Sequence, residues 1–428
     1  MRKYYQAALA ITAAVSLVSL LFYRHEYNKL RYVLEVFNYF GKPYQKDAEI
    51  NCTIVGPIFN KLNLLFEEPL SSWQRLDDNI YVYSAYSIRE KEVQVISIGR
   101  VKNVKDIQCM LFFKNEVVPI LGTFNYIPIE STSKILSEEY FGYHFLCAHA
   151  RSQVPVGITF LTKSTTNLND TPILPVKNQL VQSDSNSFAV CVTPPLTRQM
   201  HTSEMMSFIK YHDLINMDNF IIYDSGVPTE FNSYFREMSL AQNPYWKFTY
   251  TALPWNFPFS DVNRNIVRDI IQTDCLYRTY NKAAYVITLS WEEYVVLKYH
   301  HSILDLIVDF KRSKLKADGY KIKTLTFCTQ QLDDRHIANS SLTIFRKTRF
   351  DPNINEEHYT CIYNPKEKLR KRNIYTREVG KDLIVLNRYQ YCEEKENLDG
   401  SIHDTSILKY MDDILNSAVY KKFISDNI

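Results

Sequence analysis

The run from Ala7 to Tyr23 (AALAITAAVSLVSLLFY) carries no charge, with Arg2 and Lys3 before it and Arg24, His25, Lys29 and Arg31 after it. A spanning helix needs about 20 apolar residues, within a range of roughly 17 to 25, so this run reaches the short end of that range. A cleaved signal peptide would close on small residues, whereas Phe22-Tyr23-Arg24-His25-Glu26 follows here, so a retained anchor at residues 7–23 is predicted. Basic residues flank both sides of it. Residues 1–6 are too short to be more than a cytoplasmic stub, which puts the long C-terminal part in a lumen, in single-pass type II topology. Residues 24–50 mix charges with apolar positions at helical spacing and read as a stem.

From residue 51 to 180 the pattern is short and β-like. Ile80 to Tyr86, Val93 to Ile98 and Ile107 to Phe113 are rich in branched and aromatic residues and are separated by polar turns, which predicts a β-rich accessory domain. The Thr, Asn, Asp, Ser and Pro cluster between Lys163 and Asn186 is the best boundary. Beyond it, over residues 187–428, strands and helices alternate, the signature of an α/β domain. Phe188 to Val192 is a buried strand. Ser203 to Asn216 then sets Met205, Phe208, Ile209, His212 and Ile215 at helical spacing. Phe220 to Tyr223 is a second strand, parallel to the first, because the helix between them supplies the crossover that parallel pairing requires. Phe248 to Ala252 is a third candidate. Asn263 to Tyr280 is a helix with Ile266, Ile270 and Ile271 inward, and Tyr285 to Leu289 is the next strand. Ligands of open α/β sheets sit at the carboxyl ends of such strands, where Thr193, Asp224-Ser225 and Ser290 to Glu293 stand.

Composition changes this picture little. Lys and Arg number 50 against 47 Asp and Glu, and the net charge of +3 excludes a nucleic-acid binder recruited by bulk electrostatics. With 31 Tyr and 10 Gly among 428 residues, the chain is folded rather than disordered. Asn51-Cys52-Thr53, Asn169-Asp170-Thr171 and Asn339-Ser340-Ser341 fit the N-glycosylation pattern and agree with a lumen. The cysteines at 52, 109, 147, 191, 275, 328, 361 and 392 form no C-x-x-C pair, which disfavours zinc and leaves disulfides or buried thiols, with the pairing open.

Cys191-Val-Thr-Pro-Pro195, Met206 to His212, Phe220 to Ser225, Leu253-Pro254-Trp255, Asp274 to Arg278 and Tyr285 to Val296 follow one another in the order found in glycosyltransferase family 92, which the chain resembles from about Phe188 to Cys392. The resemblance implies a GT-A fold, Golgi type II topology, and inverting transfer of a hexose, galactose first among the candidates, from a UDP-sugar to a glycan acceptor, an N-glycan among those to consider. It also implies a manganese ion held by an Asp-x-Asp motif. Carboxylates are expected there because a nucleotide diphosphate leaves readily only when its developing charge is neutralised. This chain departs from the pattern. Ser290 and Glu292, followed by Glu293, stand where the family reads Asp-x-Asp-Glu, and Arg388-Tyr389-Gln390 stands at its C-terminal His-Tyr-Arg element.

By resemblance, Glu292 is the metal ligand, Ser290 a neutral donor contact, and Thr193, Asp224 and Ser225 the nucleotide contacts. Each has a plainer alternative. Strand-end Thr and Asp also cap turns, and Glu292-Glu293 can be an ordinary solvated strand end. Arg278 either binds an acceptor anion or complements a helix C-terminus. Trp255 is a sugar platform or core. Asp274 and Glu293 are the candidate acid-base carboxylates, though no spacing selects one. Cys275 reads as a buried or disulfide cysteine rather than a nucleophile. The competing function is a non-catalytic glycan- or protein-binding module, and metal-dependent binding of a UDP-sugar discriminates between the two.

Overall fold

The computed structural model describes Ser16 and residues 71–428 apart from 101–105, 115, 117, 130–139, 164–167, 169–170, 181–186, 196–199, 241–247, 260–261, 314, 332, 335–339, 351–358, 372–373, 393–400 and 428. The predicted anchor (Ser16 aside), the stem, Cys52 and the three acceptor asparagines therefore lie outside the described residues. Among those described, no helix is long and apolar enough to cross a membrane.

Residues 72–428 form one compact unit built on two sheets. The first holds β1 (Gln74–Asp77), β2 (Ile80–Arg89), β3 (Glu92–Arg100), β4 (Gln108–Phe112), β5 (Ile120–Leu121), β6 (Thr123–Pro128), β7 (Tyr140–Ala148), β8 (Gly157–Leu161) and β9 (Leu174–Asn178). The runs expected to be strands are β2, β3 and β4. Strand β9 falls inside the stretch expected as a boundary, where it pairs in parallel with β2. Its five residues, with Pro175 among them, carry too little alternation to stand out from the loop around them.

The second sheet holds β10 (Phe188–Thr193), β11 (Asn219–Asp224), β12 (Thr249–Pro254), β13 (Tyr285–Ser290), β14 (Glu293–Leu297), β15 (Gly319–Cys328), β17 (Tyr359–Tyr363), β18 (Thr376–Glu378) and β19 (Ile384–Gln390). The short β16 (Arg349–Phe350) and β20 (Ile402–His403) pair with each other. β10, β11, β12 and β13 are parallel, in the order β12-β11-β10-β13, so the expected parallel pair β10 and β11 is present. Phe188 to Val192 are fully buried, as a strand covered on both faces requires.

Helices α1 (Thr202–Leu214), α2 (Thr229–Leu240), α3 (Arg264–Arg278), α4 (Ile303–Arg312), α5 (Pro365–Arg370) and α6 (Ala418–Asn427) accompany this sheet. The predicted inward residues of α1 are buried with it, and His212 bonds the Phe208 carbonyl through Nδ1 at 2.9 Å. Burial lowers its pKa to about 3, so it stays neutral.

Helix α3 lies between the two sheets, packing on β10 and β13 and also on β2, β3 and β7. Its Ile266, Ile270 and Ile271 are fully buried. Gly142 of β7 permits the approach, since a Cβ there would lie 2.8 Å from Ile270 Cγ1. Three disulfides form among the described cysteines: Cys109–Cys147 within the first sheet, Cys191–Cys275 between β10 and α3, and Cys328–Cys392 between the end of β15 and the residue after Tyr391. Cys275 is thus a disulfide cysteine, as its setting suggested.

Candidate functional site

Parallel register sets the carboxyl ends of four strands side by side. Thr193 of β10 is the Cα partner of Ser290 of β13, and Asp224 of β11 is the partner of Pro254 of β12. Thr193 and Ser290 are buried and Ser225 is exposed.

Asp224 organises the turn that follows it. Its Oδ1 accepts the backbone N–H groups of Gly226 at 2.9 Å and Val227 at 2.7 Å, and its Oδ2 accepts Asn232 Nδ2 at 2.8 Å. Asn232 in turn accepts Tyr250 OH at 2.7 Å, and the Trp255 N–H donates to the Asp224 carbonyl at 2.7 Å. Gly226 adopts φ 146°, open to glycine and strained for other residues. The carboxylate therefore fixes the loop carrying Ser225. Asp224→Ala removes three hydrogen bonds to a charged acceptor and is expected to cost about 2 kcal/mol. Urea unfolding measures this, and an unchanged midpoint would show that the turn holds without its cap.

After Ser290 the chain leaves the parallel sheet at a two-residue corner, Trp291-Glu292, and enters β14, which pairs with β19. Trp291 is fully buried and anchors the corner edge-on against Phe208 and Phe231. Glu292 is 7% exposed, and its carbonyl accepts the Tyr389 N–H at 2.9 Å. The neighbouring carboxylate faces a different environment. Glu293 is fully buried and receives Arg268 Nη1 at 3.1 Å and Nη2 at 3.0 Å, Arg388 Nε at 2.8 Å, and the Ser290 N–H at 2.9 Å. Burial pushes its pKa up, but Arg268 and then Arg388 more than reverse this and hold it at about 2. So acidic a group is a poor general base near neutral pH. Its role in this geometry is to lock α3, β14 and β19 together.

The other acid-base candidate is likewise engaged. Asp274 is fully buried and accepts hydrogen bonds from Tyr86 OH at 2.7 Å, Tyr223 OH at 2.6 Å, Arg278 Nη2 at 3.0 Å and the Ser84 hydroxyl. Burial raises its pKa, but Arg278 and the three hydroxyls bring it below the usual carboxylate range. Arg278, at the end of α3, is thereby taken up inside the molecule and also lies over the Tyr86 ring. Trp255 is 4% exposed among Trp73, Tyr83, Tyr223 and Phe257, which makes it core rather than an open platform.

Arg268 gives no signal in the sequence. A helix with one apolar stripe would leave it in water, but α3 is covered on both sides, and Arg268 reaches the Thr288 carbonyl at 2.8 Å.

Among the described residues no three His, Cys, Asp or Glu side chains gather as a metal cage. With Ser290 neutral and Glu293 held by two guanidiniums, the corner lacks the pair of carboxylates that an Asp-x-Asp motif supplies. A divalent cation of the magnesium or manganese type needs about six oxygen ligands, so these residues fit a shared site, completed by phosphate oxygens, and do not fit an all-protein cage.

No curated protein sequence matches the chain. Among solved structures it is similar to a cyclomaltodextrinase (7% identity, 35% of this chain and 33% of that one, TM-score 0.18). It is also similar to an active-site mutant of LgtC (11% identity, 44% and 60%, TM-score 0.20) and to the purple acid phosphatase PPD1 from yellow lupin (Lupinus luteus) seeds (8% identity, 46% and 39%, TM-score 0.19). The chain spans less than two thirds of each of those chains, and at such TM-scores none of them bears on its fold or chemistry. The family model is decisive instead. It matches residues 186–419, more than half of the chain, starting just before β10 and taking in every strand end described above, so the chain belongs to glycosyltransferase family 92.

Proposed function

We propose that the protein is a Golgi type II membrane glycosyltransferase of GT-A type that transfers a hexose, with galactose the first candidate, from a UDP-sugar to a glycan acceptor with inversion. The observation that carries the proposal is the alignment of Thr193, Asp224 and Ser290 at one edge of a parallel sheet, beside the Glu292 corner. Ligands of open α/β sheets bind at that edge. In this reading Thr193 and Ser290 contact the donor, the Asp224 cap presents the Ser225 loop to the nucleotide, and Glu292 faces the diphosphate. A divalent ion, manganese by family resemblance, would be held between Glu292 and the donor's own phosphates and would supply the positive charge that the departing diphosphate requires.

Metal and donor binding are then coupled. Calorimetry with UDP-galactose is expected to show tighter binding with manganese. Glu292→Gln should erase that gain, and Ser290→Asp should enlarge it by restoring a charged oxygen ligand. A second reading, a non-catalytic glycan- or protein-binding module, is favoured by one observation: two arginines neutralise Glu293, so the corner lacks the paired carboxylates of an Asp-x-Asp motif. Absence of nucleotide-sugar binding with or without metal would make it the better account.

A further inference from the structure

The amino end of the parallel sheet, opposite the candidate donor edge, concentrates positive charge. Residues 365–381 hold seven Lys or Arg and two Glu, and residues 311–318 hold four and one Asp. These stretches are net +5 and +3 in a chain whose total is +3, so the remainder is net negative.

Strand register places the described residues of both stretches at one end. Val286, near the start of β13, is opposite Tyr363, the last residue of β17; Tyr363 is opposite Gly319, the first of β15; and Gly319 is opposite Thr376, the first of β18. The end of α4, the approach to β15, helix α5 and the approach to β18 therefore meet along this rim. Asp318 links two of them, accepting Lys371 Nζ at 2.7 Å.

The cations here are held in an unusual way. Lys311 lies over the Tyr285 ring at 5.2 Å, Lys368 over Tyr363 at 5.4 Å, and Arg370 over Tyr280 at 5.8 Å, with Arg370 Nε also donating to Tyr280 OH at 2.8 Å. Among the described residues none of these three, nor Lys316 or Lys366, forms an ion pair. A cation on an aromatic face keeps its full charge while losing freedom, so Lys311, Lys368 and Arg370 present oriented positive charge outside any ion pair, whereas Lys371 is paired with Asp318 and Glu367 and Arg312 with Asp309. Among these groups stands Tyr375, 58% exposed, whose carbonyl accepts the Asp318 and Gly319 N–H groups. Its ring offers an apolar face beside the charges.

We propose that this rim is a second glycan-binding face, separate from the donor edge, that takes a polyanionic chain bearing sulfate or carboxylate groups. Fixed cations would meet the anionic groups while Tyr375 meets the C–H face of a sugar ring. An acidic peptide would satisfy the charges but would make no use of that ring.

The test uses the full-length protein and a heparin dodecasaccharide as probe. We expect binding that weakens as salt rises, and a loss of about tenfold or more when Lys366, Lys368 and Arg370 are all replaced by Ser. Removing equal charge elsewhere, at the exposed Lys91, Lys421 and Lys422, should leave affinity nearly unchanged. Lys316→Ser, which touches no ring, should give a smaller loss and serves if the triple variant does not fold. Tyr375→Ala should weaken heparin but not polyglutamate. Absence of heparin binding, equal losses from the two charge-removal sets, or polyglutamate binding as tight as heparin would each overturn the proposal. None of these outcomes depends on transferase activity, so the proposal stands or falls apart from the donor site.

Discussion

Asp274→Ala is expected to destabilise the unit of residues 72–428 by about 3 to 5 kcal/mol. The change leaves the Arg278 guanidinium buried without its carboxylate, and it takes the acceptor from Ser84, Tyr86 and Tyr223 together. Ser84 and Tyr86 belong to β2 of the first sheet, Tyr223 to β11 of the second, and the ion pair to the helix between them. One side chain therefore ties the three layers. The magnitude comes from the orphaned charge rather than from the worth of the pair, since desolvation offsets much of the attraction between two buried ions. It follows that Asp274→Leu combined with Arg278→Met should recover a large part of the loss. Urea unfolding of the three variants measures both effects. A loss below about 1 kcal/mol for the single variant would mean that water reaches Arg278 and that the network is not the tie described here.

That tie explains what could and could not be read from the sequence. The strands β10, β11 and β13 and the helices α1 and α3 were legible because each is a run of branched and aromatic residues, or an amphipathic repeat, long enough to declare its period. The order of motifs also announced the family. Side-chain roles were less accessible, since they depend on which faces α3 turns to which sheet. For Arg278 and Trp255 the sequence leaves a site role and a structural role both open, and Asp274 stands only as a candidate carboxylate, because polar and aromatic residues near strand and helix ends serve in either setting. All three are buried: β2 of the first sheet covers Asp274 and Arg278 on α3, and Trp255, after β12, packs on Trp73 and Tyr83. Nothing within Asp274 to Arg278 indicates that Ser84 and Tyr86, nearly two hundred residues earlier, will supply hydroxyls. Glu292 and Glu293 likewise were adjacent and alike in sequence. The corner at Trp291 sends one into the start of β14, opposite Arg388, and leaves the other on the turn.

Glu293 should make the fold sensitive to acid in a way that can be isolated. Its pKa is about 2 against 4.5 for a free glutamate, because Arg268 and Arg388 outweigh the effect of burial. A depressed folded-state pKa means that the unfolded chain binds the proton more readily. The stabilisation is therefore complete above the unfolded value of 4.5 and is lost as pH falls through that value toward 2. A shift of this size corresponds to about 3 kcal/mol. Glu293→Gln removes the titrating group and leaves both guanidiniums without their carboxylate, so at pH 6 the variant should be less stable by about 3 kcal/mol, the lower end of the range for breaking a buried pair, because Arg268 and Arg388 keep partial access to water. Other carboxylates also titrate in this window, but they do so equally in both proteins, so the difference between the two unfolding free energies reports on Glu293 alone. That difference should shrink steadily between pH 5 and pH 2.5. If the two curves run parallel over the whole range, Glu293 does not carry the depressed pKa that its two arginines impose, and its exclusion as a general base fails with it.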